Sequence, residues 1–125
     1  MPVIVGTSLE FTETPGGNAV VGVATPSRGA TDVSVIRQRQ APGGFNPRHT
    51  HDREEVVAVV TGTLTVTMND ESHSLGPSDT IIIPAETIHQ FTNTGGEPAE
   101  WMLIAPAGIR FFGETGEEAK PAWAQ

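Results

Sequence analysis

Apolar and polar residues alternate with a period of two through Thr63-Leu64-Thr65-Val66-Thr67-Met68. Leu64, Val66 and Met68 therefore share one face of a strand and the threonines the other. Val33–Gln40, Thr80–Ile83 and the stretches 89–93 and 101–105 are rich in Val, Ile, Thr and Phe, residues that fit a pleated, half-buried surface. Glycine and proline, 14 and 10 in 125 residues, separate these segments. The turns they predict lie at Pro15-Gly16-Gly17-Asn18, Pro42-Gly43-Gly44, Asn69-Asp70-Glu71, Gly76-Pro77-Ser78-Asp79 and Gly95-Gly96-Glu97-Pro98. Helical periodicity is absent except in the tail, where 114–123 is predicted as a turn or two interrupted by Pro121, or else as a frayed end. No internal repeat divides the chain. The pattern predicts one all-β domain over residues 1–125, an antiparallel barrel that leaves few strand edges open.

Composition narrows the chemistry. A chain of this length buries roughly two-thirds of its unfolded surface, enough for one core. Without cysteine there are no disulfides, thiolate ligands or cysteine nucleophiles, and without tyrosine no phenol acts as an acid or radical partner. A net charge of −8, with Lys120 the single lysine, argues against nucleic acid, whose phosphates need clustered cations. Apolar runs such as 56–60 and 81–83 are far below the ~20 residues of a membrane span. The first residues carry no basic region ahead of an apolar stretch, so a soluble cytoplasmic protein is expected.

His49 and His51 are two residues apart and Glu55 follows four later. On a continuous extended chain all three project to one side, away from Asp52 and Glu54. Val57 and Val59 continue that face into a hydrophobic core, where unpaired imidazoles and a carboxylate are unfavourable. A bound cation removes that penalty. Further on, the apolar strand Ile81-Ile82-Ile83 ends at Pro84 and leads to His89. His73 follows the Asn69-Asp70 turn, fits no such pattern and is read as a surface residue of a hairpin.

These residues resemble the two motifs of the cupin family. The first motif is Gly, five residues, His-x-His, three or four residues, Glu, six residues, Gly, and Gly43, His49, His51, Glu55 and Gly62 meet it throughout 43–62. The second is Gly, five residues, Pro-x-Gly, two residues, His, three residues, Asn, and Pro84, His89 and Asn93 meet it within 76–93. Ser78 and Glu86 stand where that motif has its two glycines. The resemblance implies a double-stranded β-helix, or jelly roll, with one divalent transition-metal ion on His49, His51, Glu55 and His89 near one open end. Three nitrogens and one carboxylate suit Fe, Mn, Ni, Cu, Co or Zn, and donor softness does not choose among them.

Cupins with such a site include dioxygenases of flavonols and other enol-like substrates, oxalate-degrading enzymes, isomerases and cyclases. The resemblance to the dioxygenases implies that Glu55 stays a ligand or serves as a base. The tyrosine-dependent sugar-nucleotide epimerases and the Cys-Tyr crosslinked dioxygenases of this fold are excluded by composition, and few basic residues near the motifs could hold a sugar phosphate. A small, weakly charged or enol-type substrate is favoured, with a non-catalytic small-molecule binding or sensing protein as the alternative. Phe45, Val57, Met68, Phe91 and Met102 are pocket candidates whose ordinary role is core packing. Gln38 and Gln40 line the barrel in one register of Val33–Gln40, and Arg37 and Arg39 in the other; a slip of one residue exchanges the faces. A homodimer is expected, paired through sheet edges, with 3–11 as a strand to exchange.

Overall fold

The computed structural model describes residues 2–125. Its strands, in chain order, are β1 (Thr12–Thr14), β2 (Asn18–Ala24), β3 (Val33–Gln40), β4 (His49–His51), β5 (Glu55–Thr61), β6 (Leu64–Met68), β7 (Glu71–Leu75), β8 (Thr80–Ile83), β9 (His89–Thr92), β10 (Ala99–Pro106), β11 (Phe111–Gly113) and β12 (Glu118–Ala119). They form two six-stranded antiparallel sheets, one ordered β1-β2-β3-β10-β5-β8 and the other β12-β11-β4-β9-β6-β7. The chain passes repeatedly from one sheet to the other, as in a jelly roll. No helix is long and apolar enough to cross a membrane among the described residues.

Alternation places the core between the sheets. Val20, Ile36, Val57, Val59, Ile83, Trp101 and Leu103 point inward from the first sheet, and Leu64, Val66 and Phe91 from the second. Burying each such side chain contributes roughly 1.5–3 kcal/mol. β6 and β7 are joined by Asn69 and Asp70 at φ 50° and 65°, the positive pair that a two-residue hairpin turn requires. Gly62, between β5 and β6, has φ 76°, and a Cβ there would lie 2.4 Å from the Pro98 carbonyl oxygen. Any other residue would push the hairpin off the chain leading into β10.

The register of β3 is decided by its neighbours. Pairing with β2 and β10 turns Ser34, Ile36, Gln38 and Gln40 inward, leaving Arg37 and Arg39 outside, where both bind Glu100 at 2.8 and 2.6 Å.

Both ends of the chain differ from expectation. The segment 3–11 forms no strand for exchange; it makes one 3-10 turn at Gly6–Ser8, and Phe11 lies under the Arg39 guanidinium, 3.9 Å from ring centroid to Cζ. The tail is neither a helix nor frayed. β12 adds to β11, and a 3-10 turn at Ala122–Ala124 docks Trp123 edge-on against Phe111 with centroids 5.6 Å apart. Gly22 makes this docking possible, because a Cβ there would lie 2.3 Å from the Trp123 carbonyl oxygen.

Candidate metal centre

His49 and His51 flank Thr50 on β4 and so share its inner face, while His89 opens β9 directly opposite His49. The ring centroids are 4.2 Å apart for His49 and His89, 5.0 Å for His49 and His51, and 5.3 Å for His51 and His89. One nitrogen of each ring lies within 4.8 Å of the others. Glu55 is reached by a change of sheet, not along one extended strand. The chain bends after His51, and Glu55 begins β5 in the opposite sheet, with Oε2 2.6 Å from His51 Nε2.

Three backbone carbonyls set the rings. Nδ1 of His49 lies 2.8 Å from Pro47 O, Nδ1 of His51 3.1 Å from Arg110 O, and Nδ1 of His89 2.8 Å from Thr87 O. A carbonyl only accepts, so each Nδ1 donates and each neutral ring keeps its lone pair on Nε2. The carbonyl that holds His51 is itself fixed, since the Arg110 backbone N–H donates to Asp52 Oδ1 at 2.7 Å. The Glu86 backbone N–H in turn donates to His51 O at 2.7 Å.

The groups left over are those a cation needs. His51 Nε2, His89 Nε2 and Glu55 Oε1 are buried and make no hydrogen bond. Burial, with His89 and His51 alongside, lowers His49 to about 4, and burial likewise lowers His89. Burial alone would raise the Glu55 carboxyl, but contact with His51 and the surrounding imidazoles outweigh it and hold the group below its ordinary value. Imidazole lone pairs and a carboxylate brought together without partners are electrostatically unfavourable until a positive ion joins them. The donor set fits a divalent transition metal.

Above this cluster opens a cavity of about 400 Å³. Val20, Phe91, Leu103, Phe111, Phe112 and Trp123 provide most of its apolar wall, and Asn18, Gln38 and Asn46 its amides. Of the expected pocket residues, Gln38 and Phe91 line this space. Gln40 is fully buried in a hydrogen-bonded layer behind it, and Val57 belongs to the core. Met68 packs on the core from the second sheet. Phe45 is 53% exposed on the loop before β4. Met102 departs from expectation most: it alternates with Trp101 and Leu103 and stands on the outer face of β10, opposite Arg37 and Ala58. Phe111, Phe112 and Trp123 were not foreseen as wall residues. The signal available in the sequence was a tryptophan in a polar tail, a large apolar side chain that gains most by docking.

The sequence matches the cupin domain family over residues 36–105, and the chain belongs to that family. It is 39% identical over 93 residues to germin-like protein subfamily 1 member 7 of Arabidopsis thaliana, covering 67% of this chain and 39% of the relative. It is 33% identical over 106 residues to germin-like protein 3-8 of Oryza sativa subsp. japonica, covering 74% and 47%. The chain thus spans less than half the length of these curated relatives. Among solved structures it resembles the polyketide cyclase RemF of Streptomyces resistomycificus at a TM-score of 0.77 and 22% identity, covering 87% of this chain and 81% of that one. It also resembles an oxalate oxidase in complex with the substrate analogue glycolate, at a TM-score of 0.71 and 29% identity, covering 83% and 59%. The protein is a small cupin whose His49, His51 and His89 cluster fits a metal site.

Proposed function

We propose that this cupin is a metal-dependent enzyme, a dioxygenase or related oxidoreductase, acting on a small enol-type organic substrate. One observation carries the reading: one nitrogen from each of His49, His51 and His89 lies within 4.8 Å of the others, the buried Nε2 atoms of His51 and His89 and Glu55 Oε1 have no partner, and His49, His51 and Glu55 line an apolar cavity. A divalent ion held there supplies Lewis-acid polarisation of a bound substrate oxygen. His49, His51, Glu55 and His89 would hold it, with the Nδ1–carbonyl contacts keeping each Nε2 aimed inward. Glu55, kept ionised, is the group able to take a substrate proton at Oε1. Phe91, Phe111 and Trp123 exclude water and favour a flat apolar body. The likeness to oxalate oxidase supports redox chemistry at such a site.

Elemental analysis of the protein as purified, followed by oxygen uptake with flavonols, enediols and 1,3-diketones on Fe-, Mn-, Ni- and Cu-loaded samples, tests the proposal. About one metal per chain and turnover of one class are expected. Metal without turnover would favour the binding or sensing role, and one feature speaks for that role: the other charged wall residues are already engaged, Arg48 with Glu114 at 3.0 Å and Glu117 with Thr115. The homodimer belongs to the same proposal. β8 is an edge strand whose Ile82, paired with Val56 of β5, is 60% exposed, an apolar position that pairing would cover. A monomer in light scattering would remove that part.

A further inference from the structure

The orientation of one cavity amide follows from a chain of contacts that begins outside the cavity. Asn18, buried at the start of β2, directs Nδ2 to the carbonyl oxygens of Pro15 and Phe45, both at 2.8 Å. Carbonyls only accept, so these bonds fix which end of the Asn18 amide is nitrogen. Its Oδ1 then faces β3, where it accepts from Gln38 Nε2 at 3.2 Å and from Gln40 Nε2 at 3.0 Å. Both glutamines are thereby turned with nitrogen toward Asn18. Gln40 Nε2 also donates to Phe91 O at 3.2 Å, and its Oε1 is sealed in the interior. Gln38 differs. It is 7% exposed and lines the cavity, and its Oε1 accepts nothing from the protein and is not sealed off. The network therefore leaves Gln38 presenting an acceptor, not a donor, to the cavity.

We propose that Gln38 Oε1 is the specificity-determining acceptor of the cavity, selecting apolar ligands that carry a hydroxyl or N–H donor at a distance from their metal-binding oxygens, and that Asn18 is the positioning residue that sets this polarity. The ligand class is a hydroxylated, mostly apolar ring compound. A ligand offering only a carbonyl or ether oxygen at that point meets a lone pair and leaves the amide oxygen desolvated without a partner. The inference rests on the metal-site reading only for the placement of the ligand's other end.

The probes are 3-hydroxyflavone and its 2′-, 3′- and 4′-hydroxy and methoxy derivatives, with binding read as quenching of tryptophan fluorescence, since Trp123 lines the cavity. The three positions sample different spans from the chelating oxygens. In the wild-type protein one hydroxy isomer is expected to bind about tenfold more tightly than both its methyl ether and the unsubstituted parent. Gln38→Met, close in volume, should erase that preference, chiefly through tighter binding of the parent and the methyl ether, which no longer strand a desolvated amide oxygen. Asn18→Ala frees the Gln38 amide to turn and should narrow the hydroxy-over-methoxy ratio, which simple loosening of the fold would not do selectively. No preference at any position, no binding by any probe, or the same preference in Gln38→Met overturns the proposal. If Gln38→Met does not fold, the wild-type comparison decides alone. Repeating the titration after chelator treatment separates the two readings: unchanged affinity with the hydroxyl preference intact sinks the metal site and leaves Gln38 standing, whereas loss of affinity for all probes equally supports the metal site.

Discussion

The amide layer of Asn18, Gln40 and Asn93 and the cluster of His51, Glu55 and His89 are both buried in one barrel, yet every side-chain polar atom of the layer except Gln40 Oε1 is hydrogen-bonded, whereas the cluster leaves three atoms unmatched. Asn93 donates to Gln40 O at 3.0 Å and Glu97 O at 2.8 Å and accepts from the Gly95 N–H at 3.0 Å, so it ties the end of β9 to the end of β3 and to the loop before β10. The second cluster leaves His51 Nε2, His89 Nε2 and Glu55 Oε1 unmatched, with one nitrogen of each ring within 4.8 Å of the other and of His49, and with Glu55 Oε2 beside His51. The first arrangement is what a folded interior requires of polar groups; the second makes sense only with something bound. Burial alone does not distinguish structural from functional polar residues, nor does a single unmatched atom such as Gln40 Oε1 or Trp101 Nε1; several unmatched lone pairs gathered beside one another do.

The largest effect should come from the unmatched cluster. His51→Ala is expected to lower metal affinity by more than about 100-fold, since loss of a ligand's supporting partner alone typically costs ~10–100-fold. His73→Ala should retain the wild-type metal content; equal retention by both variants would break the contrast. Asn93→Ala should do the reverse, lowering stability by about 2–3 kcal/mol in urea unfolding with metal stoichiometry unchanged. Loss of metal with full stability in that variant would show that the amide layer belongs to the site.

Asp52 sharpens the comparison because it joins the two kinds of role, being satisfied itself while holding the carbonyl that orients His51. Asp52→Ala should weaken metal binding about tenfold, measured by competition with a chelator. Ser78 and Glu86 occupy glycine positions of the second motif and adopt φ 74° and 60°, a left-handed backbone unfavourable for residues with a Cβ. Ser78→Gly and Glu86→Gly should each stabilise the fold by about 0.5–1 kcal/mol, visible as a higher Tm, because relief of this strain exceeds the entropy gained by the unfolded chain. An unchanged or lower Tm in both would show that the strain is already offset.

The smallest effect lies outside the barrel. Burial would raise the Glu100 carboxyl, but hydrogen bonds from Arg39 and Arg37 outweigh it and hold the group below its ordinary 4.5. A carboxyl depressed by folding contributes stability fully above its unfolded value and loses it as the pH falls through the folded one. Glu100→Gln should therefore cost up to about 1 kcal/mol at neutral pH and nothing in strong acid, flattening that part of the acid limb of Tm against pH. Parallel pH profiles for the two proteins would show that the ion pair contributes nothing.

Local chemistry was readable from the amino acids alone. The strands at Val33–Gln40 and Thr80–Ile83, the Asn69-Asp70 hairpin and the spacing of His49, His51, Glu55 and His89 follow from alternation, turn residues and motif, which depend on neighbours a few positions away. Only the tertiary structure decided which face of β3 is inside, that Glu55 meets His51 by crossing between sheets, that Met102 points outward, and that Trp123 returns from the tail to wall the cavity. Each of these depends on pairing between segments far apart in the chain. A shift of one residue in such pairing inverts every side chain, and nothing local records it.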